Sequence, residues 1–159
     1  MNTFSTIEEL KAAEGTIIGE SPWLKVTQER IDMFAEATGD HQWIHKDPHQ
    51  WIHLDAEMAK NGMFGTTVAH GFLSLSLIAM LEAEAYQLEN VKMKINYGLN
   101  RLRFITPLKV NSKIKTVTKL ISITVDGSQA KLVREVTVIS QTEAKPILVA
   151  ETITLLVLN

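Results

Sequence analysis

Between Phe72 and Leu81 the chain reads FLSLSLIAML, with apolar side chains around almost the whole circumference of a helix. A surface helix of a globular protein carries one apolar stripe, whereas a helix apolar on all sides has to be wrapped by other structure. The wrapping material follows at once. From residue 91 the hydrophobic period changes from helical to two, the mark of strands. VKMKINYG and RLRFI are short strand candidates, separated near Gly98 to Asn100. KIKTVTKLISITV at 113–125 alternates polar and apolar, and Asp126-Gly127 after it is a hairpin signal. KLVREVTVIS at 131–140 is the return strand and ILVAETITLLVL at 147–158 closes the chain. Pro107 and Pro146 fall at strand starts or edges, where a missing N–H is tolerated.

The first half is helical. Residues 6–13 form a short helix before Gly15 and Gly19. Thr27 caps a helix through Thr38 that Gly39 stops, and Asp55 caps a short one from Ala56 to Lys60. The long helix runs from about Gly71 to Gln87, and its end, with Glu82, Glu84 and Gln87, should emerge into water. Helices first, then four or five antiparallel strands, with one helix that must be covered, predict an α+β fold in which a sheet wraps a central helix.

At 159 residues the chain is most simply one domain, 1–159. A net charge of -2 leaves no basic footprint for nucleic acid and no polybasic patch for a membrane surface. Cysteine is absent, which excludes disulfides, thiol catalysis and thiolate metal sites. The polar, acidic start MNTFSTIEELKAAEG does not resemble a secretory signal, and the Phe72–Leu81 run is too short to span a bilayer. A cytoplasmic protein is expected.

Residues 40 to 55 read one phrase twice, DHQWIHKD and then PHQWIHLD. The repeat has the form of a tandem duplication, and it carries His41, His45, His49 and His53. Four histidines at intervals of four invite a metal reading. Pro48 interrupts any helix, no HExxH arrangement exists, and duplicating one HxxxH pair produces the stripe automatically, so no metal is expected. Asp40 has a bland reading as a turn aspartate after Gly39. With His45 five residues on, it also forms an acid–imidazole pair able to hold one water and deliver a proton, the requirement for adding water to a double bond. His70-Gly71 opens the buried helix. The bland reading is that Gly71 merely allows close packing and His70 is a satisfied polar residue; in the favoured one, Gly71 at a helix N-terminus lets a carbonyl oxygen approach free N–H groups and makes an oxyanion hole.

TGDHQWIH at 38–45, the run through TVAHGFLSLSL at 66–77 and INYGLNRLRFITPL at 95–108 together resemble the MaoC-like dehydratases, nearest the nodulation-protein-N-like R-specific enoyl-CoA hydratases. The similarity runs from about residue 10 to the last strands. It implies a hotdog fold and a homodimer whose sheets join edge to edge, with active sites near the subunit interface. It implies Asp40 and His45 as the catalytic pair and the Gly71 amide as the thioester oxyanion donor. The substrate is then an acyl-CoA thioester, with coenzyme A part of the substrate and no separate cofactor. Arg101, Arg103, Lys109 and Lys113 would meet phosphates, although surface solvation explains them equally well.

The chain departs from the family pattern once. An alanine usually follows the histidine by six residues, but residue 51 is Trp51, and Ala59 stands six after His53. Either Asp40 and His45 stay paired and 46–53 are extra, or His53 fills the histidine slot and 41–48 are extra. The short tether from Asp40 favours the first, in which Trp51 and Ile52 need burial elsewhere. In a third arrangement the insert blocks the site and leaves a feeble enzyme. Two other functions compete: a thioesterase of the same fold, for which the buried turns offer only Ser74 and Ser76 and no carboxylate, and a non-catalytic acyl-thioester binding module.

Overall fold

The computed structural model describes residues 1–40 and 51–159. Its elements run β1 (Asn2–Phe4), α1 (Ile7–Ala12), β2 (Ile17–Glu20), β3 (Leu24–Lys25), α2 (Gln28–Thr38), α3 (Trp51–Leu54) and α4 (Ala56–Lys60). Then come α5 (Gly71–Ala85), β4 (Tyr86–Leu88), β5 (Val91–Phe104), β6 (Lys113–Asp126), β7 (Gln129–Ser140) and β8 (Leu148–Leu158). The helix starts follow side-chain chemistry. Thr27 Oγ1 accepts from the Arg30 N–H at 3.3 Å, and Asp55 Oδ1 from the Met58 N–H at 2.9 Å. Gly39 ends α2 in the left-handed region, φ 70°, where a glycine carries no steric penalty.

The main sheet is antiparallel in the order β2-β6-β7-β8-β5, with β3 also paired to β6. The sheet curls around α5, the hotdog arrangement the resemblance implies. Leu77, Ile78 and Leu81 of α5 pack against Ile114, Val136, Val138, Leu148 and Ala150. A second cluster, around Leu10, Ile18, Tyr86, Leu120, Leu132 and Leu156, fills the other end. Gly19 admits the end of α5, since a Cβ there would stand 2.5 Å from the Ala85 carbonyl oxygen. In β6 the buried side is Ile114, Thr116, Thr118 and Leu120, but then Ile123. The ladder skips Ile121: Leu120 faces Arg134 and Ser122 faces Val133, so one residue is absorbed in a bulge.

Four expectations are corrected. VKMKINYG and RLRFI form one strand, β5, whose register shifts near Gly98 and between Leu99 and Arg101 rather than breaking. The long helix ends at Ala85, because Tyr86–Leu88 pairs in parallel with Asn2–Phe4. Glu82 does not emerge into water. It is buried, bonded to Arg134 Nη1 at 2.7 Å and to the Thr118 hydroxyl at 3.1 Å. Nor is α5 covered on every side, for Phe72 is 65% exposed. Among the described residues no helix is long and apolar enough to cross a membrane.

Candidate active site

The site collects at the N-terminal end of α5, where α2, α3 and the segment before α5 are stitched together. Gln28, the first residue of α2, gives its Nε2 to the His53 carbonyl at 2.8 Å and accepts from the Thr67 hydroxyl at 2.6 Å. The Val68 N–H donates to the Ile52 carbonyl at 2.9 Å, and the Ala69 N–H to that of Leu108 at 2.7 Å. Trp51 is half-buried with its ring against Gly62, where a Cβ would meet it at 2.4 Å. So Trp51 and Ile52 are used to seat α3, not left on the surface.

His53 therefore arrives in a fixed pose. Its Nδ1 lies 2.7 Å from the Val68 carbonyl oxygen. A carbonyl can only accept, so Nδ1 carries the proton and Nε2 of neutral His53 is left with a lone pair. The ring stacks on His70 at 3.9 Å between centroids. His70 packs on its other neighbour, Phe34, at 5.1 Å. Asp40, just beyond the Gly39 stop of α2, brings its Oδ2 to 3.6 Å from His70 Nε2. Burial lowers the pKa of His70 below the ordinary imidazole value; His53 adds to the effect, while the charge of Asp40 and a hydrogen bond to its backbone oppose it.

Of the residues expected here, Asp40, His53 and Gly71 are gathered at one end of α5. His45, with His41 and His49, lies outside the described residues, as does the question of where the duplicated phrase travels. His70 is not a fully satisfied polar residue: among the described residues neither ring nitrogen makes a hydrogen bond of ordinary geometry. Its importance had one sequence signal, the position before Gly71, but Phe34 and His53 are brought to it only by the fold. Among the described residues no group of three or more His, Cys, Asp or Glu is arranged to hold a metal ion.

Gly71 opens α5 beside a cavity of about 300 Å³, lined by Ser74, Phe104, Ile105, Pro107 and Leu108 among others. A Cβ at residue 71 would come within 3.2 Å of the Phe104 ring, so only a glycine leaves this mouth clear. The first N–H groups of α5 point along the helix axis with the positive end of its dipole. Asp40 and the two imidazoles meet at the donor-rich start of α5, and the cavity opens at Gly71 beside it without being lined by any of the three. The arrangement is suited to proton transfer next to a developing oxyanion if substrate reaches from one to the other. The hydroxyls of α5 are otherwise engaged, Ser76 with the Phe72 carbonyl at 2.7 Å and Ser74 with that of His70 at 3.4 Å. Its two carboxylates offer nothing more, with Glu82 bonded to the sheet and Glu84 facing solvent.

Residues 49–144 match the family described as MaoC like domain. The match opens at His49, in the second copy of the repeated phrase. The 3-hydroxyacyl-thioester dehydratase Z of Mycobacterium tuberculosis is 42% identical over 96% of this chain and 97% of its own length. Nodulation protein N of Rhizobium leguminosarum bv. viciae is 35% identical over 95% of this chain and 91% of its own. R-hydratase PhaJ1 from Pseudomonas aeruginosa superposes with a TM-score of 0.66 at 22% identity, over 88% of this chain and 79% of that one, a likeness of fold.

Proposed function

Because the chain belongs to the MaoC-like dehydratase family, we propose that it is an (R)-specific enoyl-CoA hydratase, adding water to a trans-2-enoyl-CoA to give a (3R)-hydroxyacyl-CoA. The chain is a hydro-lyase at the coarser level, and the acyl-thioester substrate is the inference. The observation that carries it is the Asp40 carboxylate at the stacked histidine pair, beside the N-terminus of α5.

In this reading Asp40 and an imidazole of the repeated phrase grip one water. The water oxygen bonds to C3, one of its protons passes to the side chains, and a proton is delivered to C2 on the same face. Charge that develops on the thioester oxygen is stabilised by the Gly71 N–H. Dehydration is the same path reversed. Two observations favour His53 over His45 as the imidazole. The Val68 carbonyl fixes its tautomer so that Nε2 can accept from water, and the stretch that matches the family opens at His49, within the second copy.

The homodimer belongs to the same proposal. β5 lies at the sheet edge, and along it Met93, Ile95, Tyr97 and Leu99 are exposed, Tyr97 at 65%. A long apolar edge strand is a template for pairing with another chain. Coenzyme A enters as part of the substrate.

The test is loss of enoyl absorbance with crotonyl-CoA, repeated with Asp40→Asn, His45→Ala and His53→Ala. Turnover should vanish with Asp40→Asn and His53→Ala and survive His45→Ala. Loss with His45→Ala alone returns the assignment to His45. An inert parent protein across several chain lengths favours the binding module instead. The thioesterase reading lacks a carboxylate at the cavity end of α5, where the described lining holds none.

A further inference from the structure

His70 heads α5, yet the proposed reaction gives it no task. Its ring is 5% exposed. A residue in this position ordinarily caps the helix with its side chain, but His70 makes no such bond. Its backbone does the local work, the carbonyl accepting from the Ser74 N–H at 3.2 Å. The imidazole is instead clamped in plane, with Phe34 of α2 at 46° to it and His53 of α3 at 25°. Among the described residues neither buried nitrogen makes a hydrogen bond of ordinary geometry, and the group that reaches the ring is Asp40, through its backbone as well as its carboxylate. Buried nitrogens so poorly bonded are costly enough that native folds seldom keep them without a use. Asp40 Oδ2 stands 3.6 Å from Nε2, just outside direct hydrogen-bond range. The side chain of Asp40 is 40% exposed, so it has the room to turn and close the gap.

We propose that His70 is a positioning residue for Asp40: its Nε2–H donates to the carboxylate and fixes which oxygen faces the reacting water, while Phe34 and His53 hold the ring plane. The proposal rests on the hydratase reading and deepens it. The described titratable groups acting on the ring are His53 and Asp40, and burial together with His53 outweighs Asp40, which keeps His70 neutral. A neutral donor orients the carboxylate without cancelling its charge, as a protonated imidazole would. A direct hydrogen bond from the ring also strengthens the hold of Asp40 on one of the two buried nitrogens.

His70→Phe keeps an aromatic plane in the stack and removes the donor, whereas His70→Gln keeps a donor and loses the plane. With crotonyl-CoA and the full chain, His70→Phe should lower kcat by about ten- to a hundredfold with KM little changed. It should also move the acid limb of the kcat/KM profile towards neutrality, because the carboxylate has lost a donor to its ionised form. His70→Gln should recover part of the loss. A packing role predicts the opposite order, with Phe tolerated and Gln damaging. Ring 15N NMR gives a reading that needs no turnover: His70 should be neutral with its proton on Nε2, and Asp40→Asn should shift that resonance and lower the protonation midpoint further. A His70 signal indifferent to Asp40→Asn, or a His70→Phe enzyme with the parent's pH profile, overturns the inference. An inactive parent overturns the hydratase reading instead, and the ring-nitrogen measurement then still decides the contact.

Discussion

Replacing Arg134 by methionine tests how the sheet grips the far half of α5. Arg134 is 6% exposed and Glu82 8%. The guanidinium donates to Glu82 at 2.7 Å, to the Tyr86 hydroxyl at 2.5 Å and to the Thr154 hydroxyl at 2.6 Å. A thioether donates nothing, so in Arg134→Met the Glu82 carboxylate would keep only the hydrogen bond from the Thr118 hydroxyl. Removing one member of a buried pair costs about 3–5 kcal/mol, because the other charge is left without compensation. Glu82→Leu should cost a similar amount by stranding the cation. The double variant removes both charges, and its stability should fall within about 2 kcal/mol of the parent, far short of the sum.

The pH dependence follows from the same contacts. Burial raises the Glu82 carboxyl above its ordinary value, and Arg134 is the main influence pulling it back. The folded state then holds that proton more tightly than the unfolded one. Stability from this group is therefore greatest at acid pH and falls as pH rises from the unfolded value through the raised folded value. Loss of Arg134 raises the folded value further and extends the fall to higher pH. Urea unfolding followed by circular dichroism at pH 5 and pH 8 reads both effects. Single variants as stable as the parent at both pH values, or a double variant that loses the full sum, would refute the reasoning.

Gly71→Ala should cut crotonyl-CoA turnover by about tenfold or more, since the new Cβ crowds Phe104 at the mouth; unchanged kinetics would remove Gly71 from the site. Thr27→Ala should lower the urea-derived stability by about 1 kcal/mol through loss of the cap bond to Arg30. Tyr97→Lys, at an exposed position on β5, should shift the mass measured by light scattering from two chains to one while leaving the circular dichroism spectrum intact. A parent protein that already runs as one chain would exclude the edge-to-edge dimer.

Local chemistry was readable in the sequence, and distant pairing was not. Thr27, Gly39, Asp55 and Gly71 mark helix ends within one or two residues because a cap is settled by its immediate neighbours. The end of α5 was misplaced because its competitor, Asn2–Phe4, lies more than eighty residues upstream. β1 to β3 are two to four residues long, too short for an alternation to register. Glu82 reads as a solvent residue until Arg134 arrives from β7. In the site, Asp40 and Gly71 stood out by residue type and position. The buried state of His70 depends on three elements meeting, which no spacing along the chain encodes.

The bulge at Ile121 gives β6 a spare division in its ruler. Leu120 and Ile123 both look inward only because two residues between them share the outer side. Excising Ile121 would leave Leu120, Ser122 and Ile123 in simple in-out-in phase, so both halves of the core would keep their facing. Excising Val117 from the regular stretch would invert everything to one side of the cut. Strand length in this protein is thus negotiable at one point and rigidly quantised a few residues away.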